Sequence, residues 1–378
     1  RTALRVARRS AGGRIKGEQR LANGGALIAQ TLKAALEREA SVWTETALAD
    51  LVMERGRVCG VVARRNGRTI RIGASRGVLL SSGGFARNAE MRRQYSVQPN
   101  AGEWTLSNPG DTGEAIEAAI RQGAAVDLMD EAWWIPISIQ PDGRPSAHNS
   151  ERCKPGSIIV DRSGRRYFDE SISYMEAGRQ MYAHNQLGES IPSWLMMDSR
   201  HRSRYLFGFH PNTPGEWIES GYMKRASSIE DLAACCGIDA SVLRATVDRF
   251  NAFAAKGTDP DFHRGEGAHE RYQGDHGHEP NACLGPLDRP PYYAVEIYPG
   301  DVGTSGGLLC DEFSRVLDRN HEPIPGLYAA GNSTASVMGR AYLGAGASIG
   351  ASFVFSYIAA KHAVGADVVE PSSATAAV

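Results

Sequence analysis

The chain has 378 residues, 42% hydrophobic and 22% charged, and its 42 Lys and Arg against 43 Asp and Glu leave a formal net charge of −1. That much hydrophobe supports a folded core and excludes a disordered chain, and the balanced charge excludes a basic arm for nucleic acid. The six cysteines, Cys59, Cys153, Cys235, Cys236, Cys283 and Cys310, lack Cys-x-x-Cys spacing, so neither a structural zinc site nor a disulfide framework is expected. No run approaches the roughly 20 apolar residues of a membrane span, and the basic residues 1–9 lack the apolar segment of a signal peptide. A reduced, cytoplasmic setting is the expectation.

Residues 23–39 predict a helix, with Asn23 as candidate cap and Ala26, Leu27, Leu32, Ala35 and Leu36 at helical spacing. Strand-like runs follow at 42–51 and 57–64, the second carrying Val58, Val61 and Val62. The turn signal Asn66-Gly67 then introduces a run at 69–72, so a β-meander with a hairpin is expected. Residues 77–85 read Gly-Val-Leu-Leu-Ser-Ser-Gly-Gly-Phe, which predicts a buried parallel strand whose glycine-rich end faces a ligand. A helix is expected at 111–123, burying Ala115, Ile116, Ala119 and Ile120.

From about residue 132 the character changes, with Trp133, Trp134, Pro136 and a stretch rich in Pro and Gly. Helices at 228–236 and 240–255 each follow a capping residue. Residues 256–282 are polar and predict a long surface connection, whose His263, His269, His276 and His278 fit no compact metal-ligand set. After 291 come short strands at 293–298, 308–310, 316–318 and 326–330, then an apolar helix at 348–362. The last dozen residues are expected to fray. The layout predicts one domain split in sequence, 1–131 and 293–378, with a second inserted at 132–292.

The sharpest chemical signal is Gly326-Leu-Tyr-Ala-Ala-Gly-Asn332 followed by Gly339-Arg-Ala-Tyr-Leu-Gly-Ala-Gly-Ala-Ser-Ile-Gly350. A strand delivers Gly331 and Asn332 at its carboxyl end, and a glycine-rich loop then feeds a helix N-terminus. Unpaired backbone N–H groups there suit an anion or an electron-rich oxygen, such as the N1 and O2 edge of a reduced flavin. A tight loop without a ligand is the alternative. A nicotinamide site is rejected, because the acidic residue about twenty positions beyond Gly344-Ala-Gly346 is absent.

Together with Gly306-Gly307, Val316-Leu317-Asp318, Ser82-Gly83-Gly84-Phe85 and Gly110-Asp-Thr-Gly113, these segments resemble the fumarate reductase/succinate dehydrogenase flavoprotein superfamily. Within it, the Tyr-x-Gly-x-Gly loop resembles the 3-ketosteroid Δ1-dehydrogenases. The resemblance implies an α/β fold with an α+β insertion, in which a discontinuous, Rossmann-like FAD-binding domain lacks its first βαβ unit and carries an inserted catalytic domain. It implies FAD as cofactor, a steroid substrate and an electron acceptor. It also implies 1,2-desaturation, in which a C2 proton is abstracted and a C1 hydride passes to flavin N5. In that scheme Tyr342 and the Gly346 N–H hold the C3 ketone, and Tyr174, in Arg166-Tyr-Phe-Asp-Glu-Ser-Ile-Ser-Tyr174, is the base. Leu48, Ser82, Gly83, Gly84, Asn108, Asp111, Gly331, Asn332, Ser348 and Ile349 are the implied FAD contacts. Trp133, Trp134, Trp194 and Phe207 either line an apolar pocket or pack in the core.

Two features depart from the family. Its opening strand–Gly-x-Gly-x-x-Gly–helix unit is not found before residue 24, so the sequence reads as N-terminally truncated. Leu343 stands where the family has Pro, which predicts a looser loop at Tyr342. Three rival readings remain: a fumarate-reductase-type enzyme, a dehydrogenase or reductase acting at the Δ4 bond, and a non-catalytic fragment. The first needs cations for two carboxylates, including a His before the glycine pair, and Gly303-Thr-Ser-Gly-Gly307 has none.

Overall fold

The computed structural model describes residues 21–188 and 190–366, and before them residues 8, 9, 12, 13 and 16–18. Most of the basic stretch at 1–9, and the tail at 367–378, lie outside the described residues. Two compact units emerge, one of residues 1–47 with 63–70 and one of 48–62 with 71–378.

In the first unit, helix α1 spans Asn23–Leu36. Ala22 takes the cap position, while Asn23 itself adopts a positive φ of 49°, so Asn23 does not cap as its residue type suggests. Leu27, Leu32 and Leu36 are exposed, and no residue of α1 is buried. Helical spacing identifies the helix without naming what covers its stripe. Residues 46–73, most of which belong to the second unit, supply strands β1 (Thr46–Glu54), β2 (Arg57–Arg65) and β3 (Arg68–Gly73) of the expected meander. Asn66 and Gly67, at φ 50° and 73°, give the paired positive angles that a two-residue hairpin turn needs.

In the second unit, β4 (Val78–Leu80) runs parallel to the later strand at Pro323–Ala329, pairing Leu80 with Ala329. The buried parallel strand is thus present but short, and Leu79 is exposed. Helix α2 (Ala89–Tyr95) is capped by Asn88, whose Oδ1 accepts from Glu90 and Met91 N–H. Helix α3 spans Glu114–Arg121 and buries Ala115, Ile116, Ala118 and Ala119, close to the expected face. These side chains join Phe85, Met91, Leu308, Val316 and Leu327 in one core cluster.

The second layer is a six-stranded sheet. After the two-residue β5 (Val126–Asp127), its members are β6 (Ala132–Ile139), β7 (Pro145–Ala147), β8 (Ser157–Val160), β9 (Ser193–Met197), β10 (Met223–Ala226) and β11 (Tyr292–Thr304). The long β11 joins it together: its first half pairs with β9 and β10, and its second half with β6. Helix α4 (Tyr174–Asn185) packs on β6, where Met175 and Met181 are fully buried and contribute about 1.5–3 kcal/mol each. Gly178 permits that approach, since a Cβ there would stand 2.5 Å from Trp134 Cβ.

Short helices α5 (Ser199–Arg204) and α6 (Gly215–Glu219) precede α7 (Ile229–Cys236) and α8 (Ala240–Lys256), which Ser228 and Asp239 cap through their side chains. The segment after α8 corrects one expectation. Rather than a plain surface connection, it buries Asp259 and Arg264 and carries helix α9 (Ala268–Gln273). Arg264 donates to Glu170 Oε2 at 3.0 Å and to the carbonyls of Arg152 and Ser157, so polarity there reflects a buried ionic network. Strands β12 (Gly307–Leu308), β13 (Arg315–Leu317) and β14 (Pro323–Ala329) and helix α10 (Ala347–Ala363) close the described chain. Among the described residues, no helix is long and apolar enough to cross a membrane.

Candidate functional site

The parallel pair β4 and β14 brings two glycine-bearing segments side by side. Ala330 N donates to Leu80 O at 2.9 Å, and Ser333 Oγ donates to Gly83 O at 2.9 Å. Gly83 has a φ of 96°, and a Cβ there would stand 2.2 Å from Asp111 Oδ1, so glycine alone lets this backbone lie against the Asp111 turn. Asn108 Oδ1 shapes that turn by accepting from Gly110 N at 2.8 Å. Burial, and then the Asp301 carboxylate, raise the Asp111 pKa, with Arg87 opposing.

A cavity of about 270 Å³ opens there, lined by Ser81, Gly83, Gly331, Asn332, Ser348 and Ile349. A larger one, about 530 Å³, is bordered by Trp133, Ser305, Asn332, Thr334, Met338 and Ser348. Trp133 Nε1 donates to Asn332 Oδ1 at 3.0 Å, which fixes the amide. Ser305 Oγ is buried and has no partner among the described residues. Helix α10 starts beside both cavities, with Gly346 (φ 88°) at its cap position, no described side chain capping it and no acid in its first turn. Its leading N–H groups therefore keep their partial positive charge for a ligand.

The second feature is a pair of phenols. Tyr174 is the first residue of α4, behind the Ser173 cap, and Tyr342 lies on the loop that leads into α10. Their ring centroids are 4.4 Å apart at 52°. Both pack on the cluster of Trp133, Trp134, Met175 and Tyr182. Burial, and then the neighbouring Tyr342 phenol, push the pKa of Tyr174 well above that of an ordinary tyrosine. A ketone beside this pair would meet a hydroxyl donor and a second phenol that holds its proton tightly.

The structure brings Tyr174 and Tyr342 together although they are far apart in sequence, and it puts Gly346 at the helix start that borders the cavities. Gly83, Gly331, Asn332, Ser348 and Ile349 line the smaller cavity, whereas Leu48, Ser82, Gly84, Asn108 and Asp111 border neither. Ser81 lines it in place of its neighbour Ser82. Leu48 instead packs against the core around Leu51 and Val58. Trp133 is a cavity wall, whereas Trp134, Trp194 and Phe207 sit in separate core clusters. Sequence reasoning missed Ser305, although it lies inside the glycine-rich Gly303–Gly307 segment that could have flagged it. Nothing local signals the Trp133–Asn332 bond.

Residues 3–349 match the family model described as FAD binding domain. The chain belongs to this family. This FAD-binding chain is 43% identical over 374 residues to the 3-oxosteroid 1-dehydrogenase of Mycobacterium tuberculosis, covering 95% of this chain and 66% of the relative. It is 36% identical over 366 residues to the 4-oxocyclohexanecarboxylate 2-dehydrogenase of Sinomonas cyclohexanicum, covering 91% and 61%. Among solved structures, the 3-ketosteroid Δ1-dehydrogenase of Sterolibacterium denitrificans in complex with 1,4-androstadiene-3,17-dione matches with a TM-score of 0.85 at 40% identity. That match covers 88% of this chain and 61% of the other. The chain thus spans less than two thirds of the length of these relatives.

FAD fits what the chain offers. The glycine-lined cradle admits close backbone approach, the unpaired Ser305 hydroxyl and the Asn332 amide supply polar contacts, and the α10 N-terminus suits an electron-rich flavin edge.

Proposed function

We propose that this chain is part of an FAD-dependent dehydrogenase that desaturates the 1,2 bond of a 3-ketosteroid. The observation that carries the reading is the phenol pair, Tyr174 and Tyr342 at 4.4 Å, next to the start of α10. The chain's similarity to 3-oxosteroid 1-dehydrogenases supports the substrate class.

Removing a proton from C2 moves negative charge onto the C3 oxygen. Tyr342 donates its hydroxyl hydrogen to that oxygen, and the Gly346 N–H donates a second hydrogen bond; such donors act most strongly where charge develops. Tyr174 takes the C2 proton. FAD, when bound, supplies the hydride acceptor for the hydrogen leaving C1. Burial and the Tyr342 phenol oppose ionisation of Tyr174, so the reading implies activity that rises toward alkaline pH.

Ser81, Gly83, Gly331, Asn332, Ser305, Ser348 and Ile349 hold the cofactor in this reading, with Leu48, Ser82, Gly84, Asn108 and Asp111 as supporting contacts. The division into 1–131, 132–292 and 293–378 belongs to the same proposal, with the two tyrosines coming from the inserted and the closing parts. A free carboxylate on the ring, as in the Sinomonas substrate, would need a cation nearby. Arg179 and Arg340 are the arginines closest in sequence to the phenols, and both are bound to carboxylates; His269, whose ring lies 6.5 Å from that of Tyr342, has a buried Nε2 without a partner among the described residues, so the steroid preference rests on the 43% identity to a 3-oxosteroid 1-dehydrogenase.

The test incubates the FAD-loaded enzyme and an artificial dye acceptor with 4-androstene-3,17-dione or 4-oxocyclohexanecarboxylate. The expected product is the 1,4-diene, two hydrogens lighter. Turnover of the carboxylate alone, or of neither, would overturn the assignment.

A further inference from the structure

Beside the phenol pair lies a cluster of charges that the proposed chemistry does not use. Its centre is Glu131, only 5% exposed. Trp134 Nε1 donates to Glu131 Oε2 at 3.3 Å. Arg340 Nη1 donates to Glu131 Oε1, and the same guanidinium holds both oxygens of Asp130, at 2.8 and 2.9 Å. Arg179 Nη2 stands 3.5 Å from Glu131 Oε1. From its other nitrogen, Arg179 reaches the Arg340 carbonyl at 2.5 Å and Glu176 at 3.3 Å. The Glu131 backbone is fixed as well, its carbonyl accepting from Ser305 N at 3.1 Å.

These contacts connect the two elements that carry the phenols. Arg340 lies two residues before Tyr342 on the glycine loop, and Glu176 and Arg179 lie on α4, which Tyr174 begins. The loop needs such an anchor: Gly339 and Gly344 flank it at φ 60° and 130°, and Leu343 is 74% exposed.

Resting on the function proposed above, we infer that Glu131 is a positioning residue: through Arg340 and Arg179 it holds the Tyr342 hydroxyl at the distance from Tyr174 that the ketone requires. Glu131 touches neither phenol through its carboxylate. Its influence travels through the Arg340 backbone to Tyr342 and through Arg179 to the α4 helix. Misplacement of a catalytic group by about 1 Å can cost on the order of a hundredfold in rate, and a partly slackened loop loses less.

The test is a double-mutant cycle in the FAD-loaded enzyme, combining Glu131→Gln with Tyr342→Phe. Glu131→Gln keeps the side chain's size and an acceptor for Trp134, but removes the charge that draws the two guanidiniums together. Alone, it is expected to lower kcat about tenfold with KM changed less than about twofold. In the Tyr342→Phe background it is expected to lower kcat by less than about twofold, because the group it positions is gone. Arg340→Lys, at a position whose side chain is half exposed, should repeat the pattern, and it carries the test should Glu131→Gln not fold. A full tenfold loss in both backgrounds, or a loss confined to KM, overturns the positioning role while leaving the proposed function standing. Unchanged kcat in Tyr342→Phe itself overturns both.

Discussion

Replacing Tyr342 with Phe keeps the ring that packs on Tyr174 and removes only the hydroxyl, so two effects of opposite sign can be weighed. The lost donor to a developing oxyanion is worth about 2.7–4 kcal/mol, or about 10²–10³ in kcat. Against this, burial and then the Tyr342 phenol raise the Tyr174 pKa, so the substitution also eases ionisation of the base. At about 1.4 kcal/mol per unit, a drop of roughly two to three units would be needed to offset the lost donor. Burial is the largest single cause and the substitution leaves it in place. The lost donor wins. The expected outcome is a kcat reduced at least about a hundredfold, together with a rising limb of kcat/KM displaced to lower pH. The assay is dye-linked dehydrogenation of 4-androstene-3,17-dione across neutral and alkaline pH, with flavin content measured for each variant. A kcat near that of the parent enzyme, or a limb moved to higher pH, would refute the reasoning.

Two expectations concern stability. Glu170 takes Arg166 at 2.7 and 2.8 Å and Arg264 at 3.0 Å in a buried network; burial raises its pKa, but the two guanidiniums draw it down to about 2. Glu170→Gln leaves Arg264 without a carboxylate partner and Arg166 with Asp259 alone, and should cost about 3–5 kcal/mol in urea unfolding at pH 7. Because the folded pKa lies below the ordinary 4.5, that contribution is present above 4.5 and lost as pH falls toward 2; equal stability of parent and variant at pH 7 would contradict it. Burial holds His201 down to about 4 from an ordinary 6.5, so its contribution is present above 6.5 and lost as pH drops through 4. His201→Gln should weaken the acid loss of stability between those values by about 3 kcal/mol, and identical pH dependence in the two proteins would rule this out.

Local chemistry made several elements legible. Asn66-Gly67 announced its hairpin because few residues tolerate two successive positive φ angles. Ser228 and Asp239 announced α7 and α8 because their side chains satisfy otherwise unpaired N–H groups. The glycines of the last strand and loop marked the cradle, since the positive φ of Gly331, Gly344 and Gly346 disfavours any residue with a Cβ. Other readings failed where burial decided the outcome. Polarity at 256–282 looked like solvated connection, yet Arg264 is buried because the Glu170 carboxylate and distant carbonyls meet it, and Asp259 because the Arg166 guanidinium does.

By itself, the sequence determined many of the helices and strands outside residues 132–227, where glycine relieves the backbone, and which two tyrosines the family resemblance singles out. Those properties depend on neighbours along the chain. The tertiary structure alone decided that the rings of Tyr174 and Tyr342 meet, tilted, at 4.4 Å, that Trp133 steadies Asn332, and that Glu131 gathers Arg179 and Arg340. Side-chain contacts across more than a hundred residues follow from how β6, β11 and α4 pack, and no local periodicity encodes that distance.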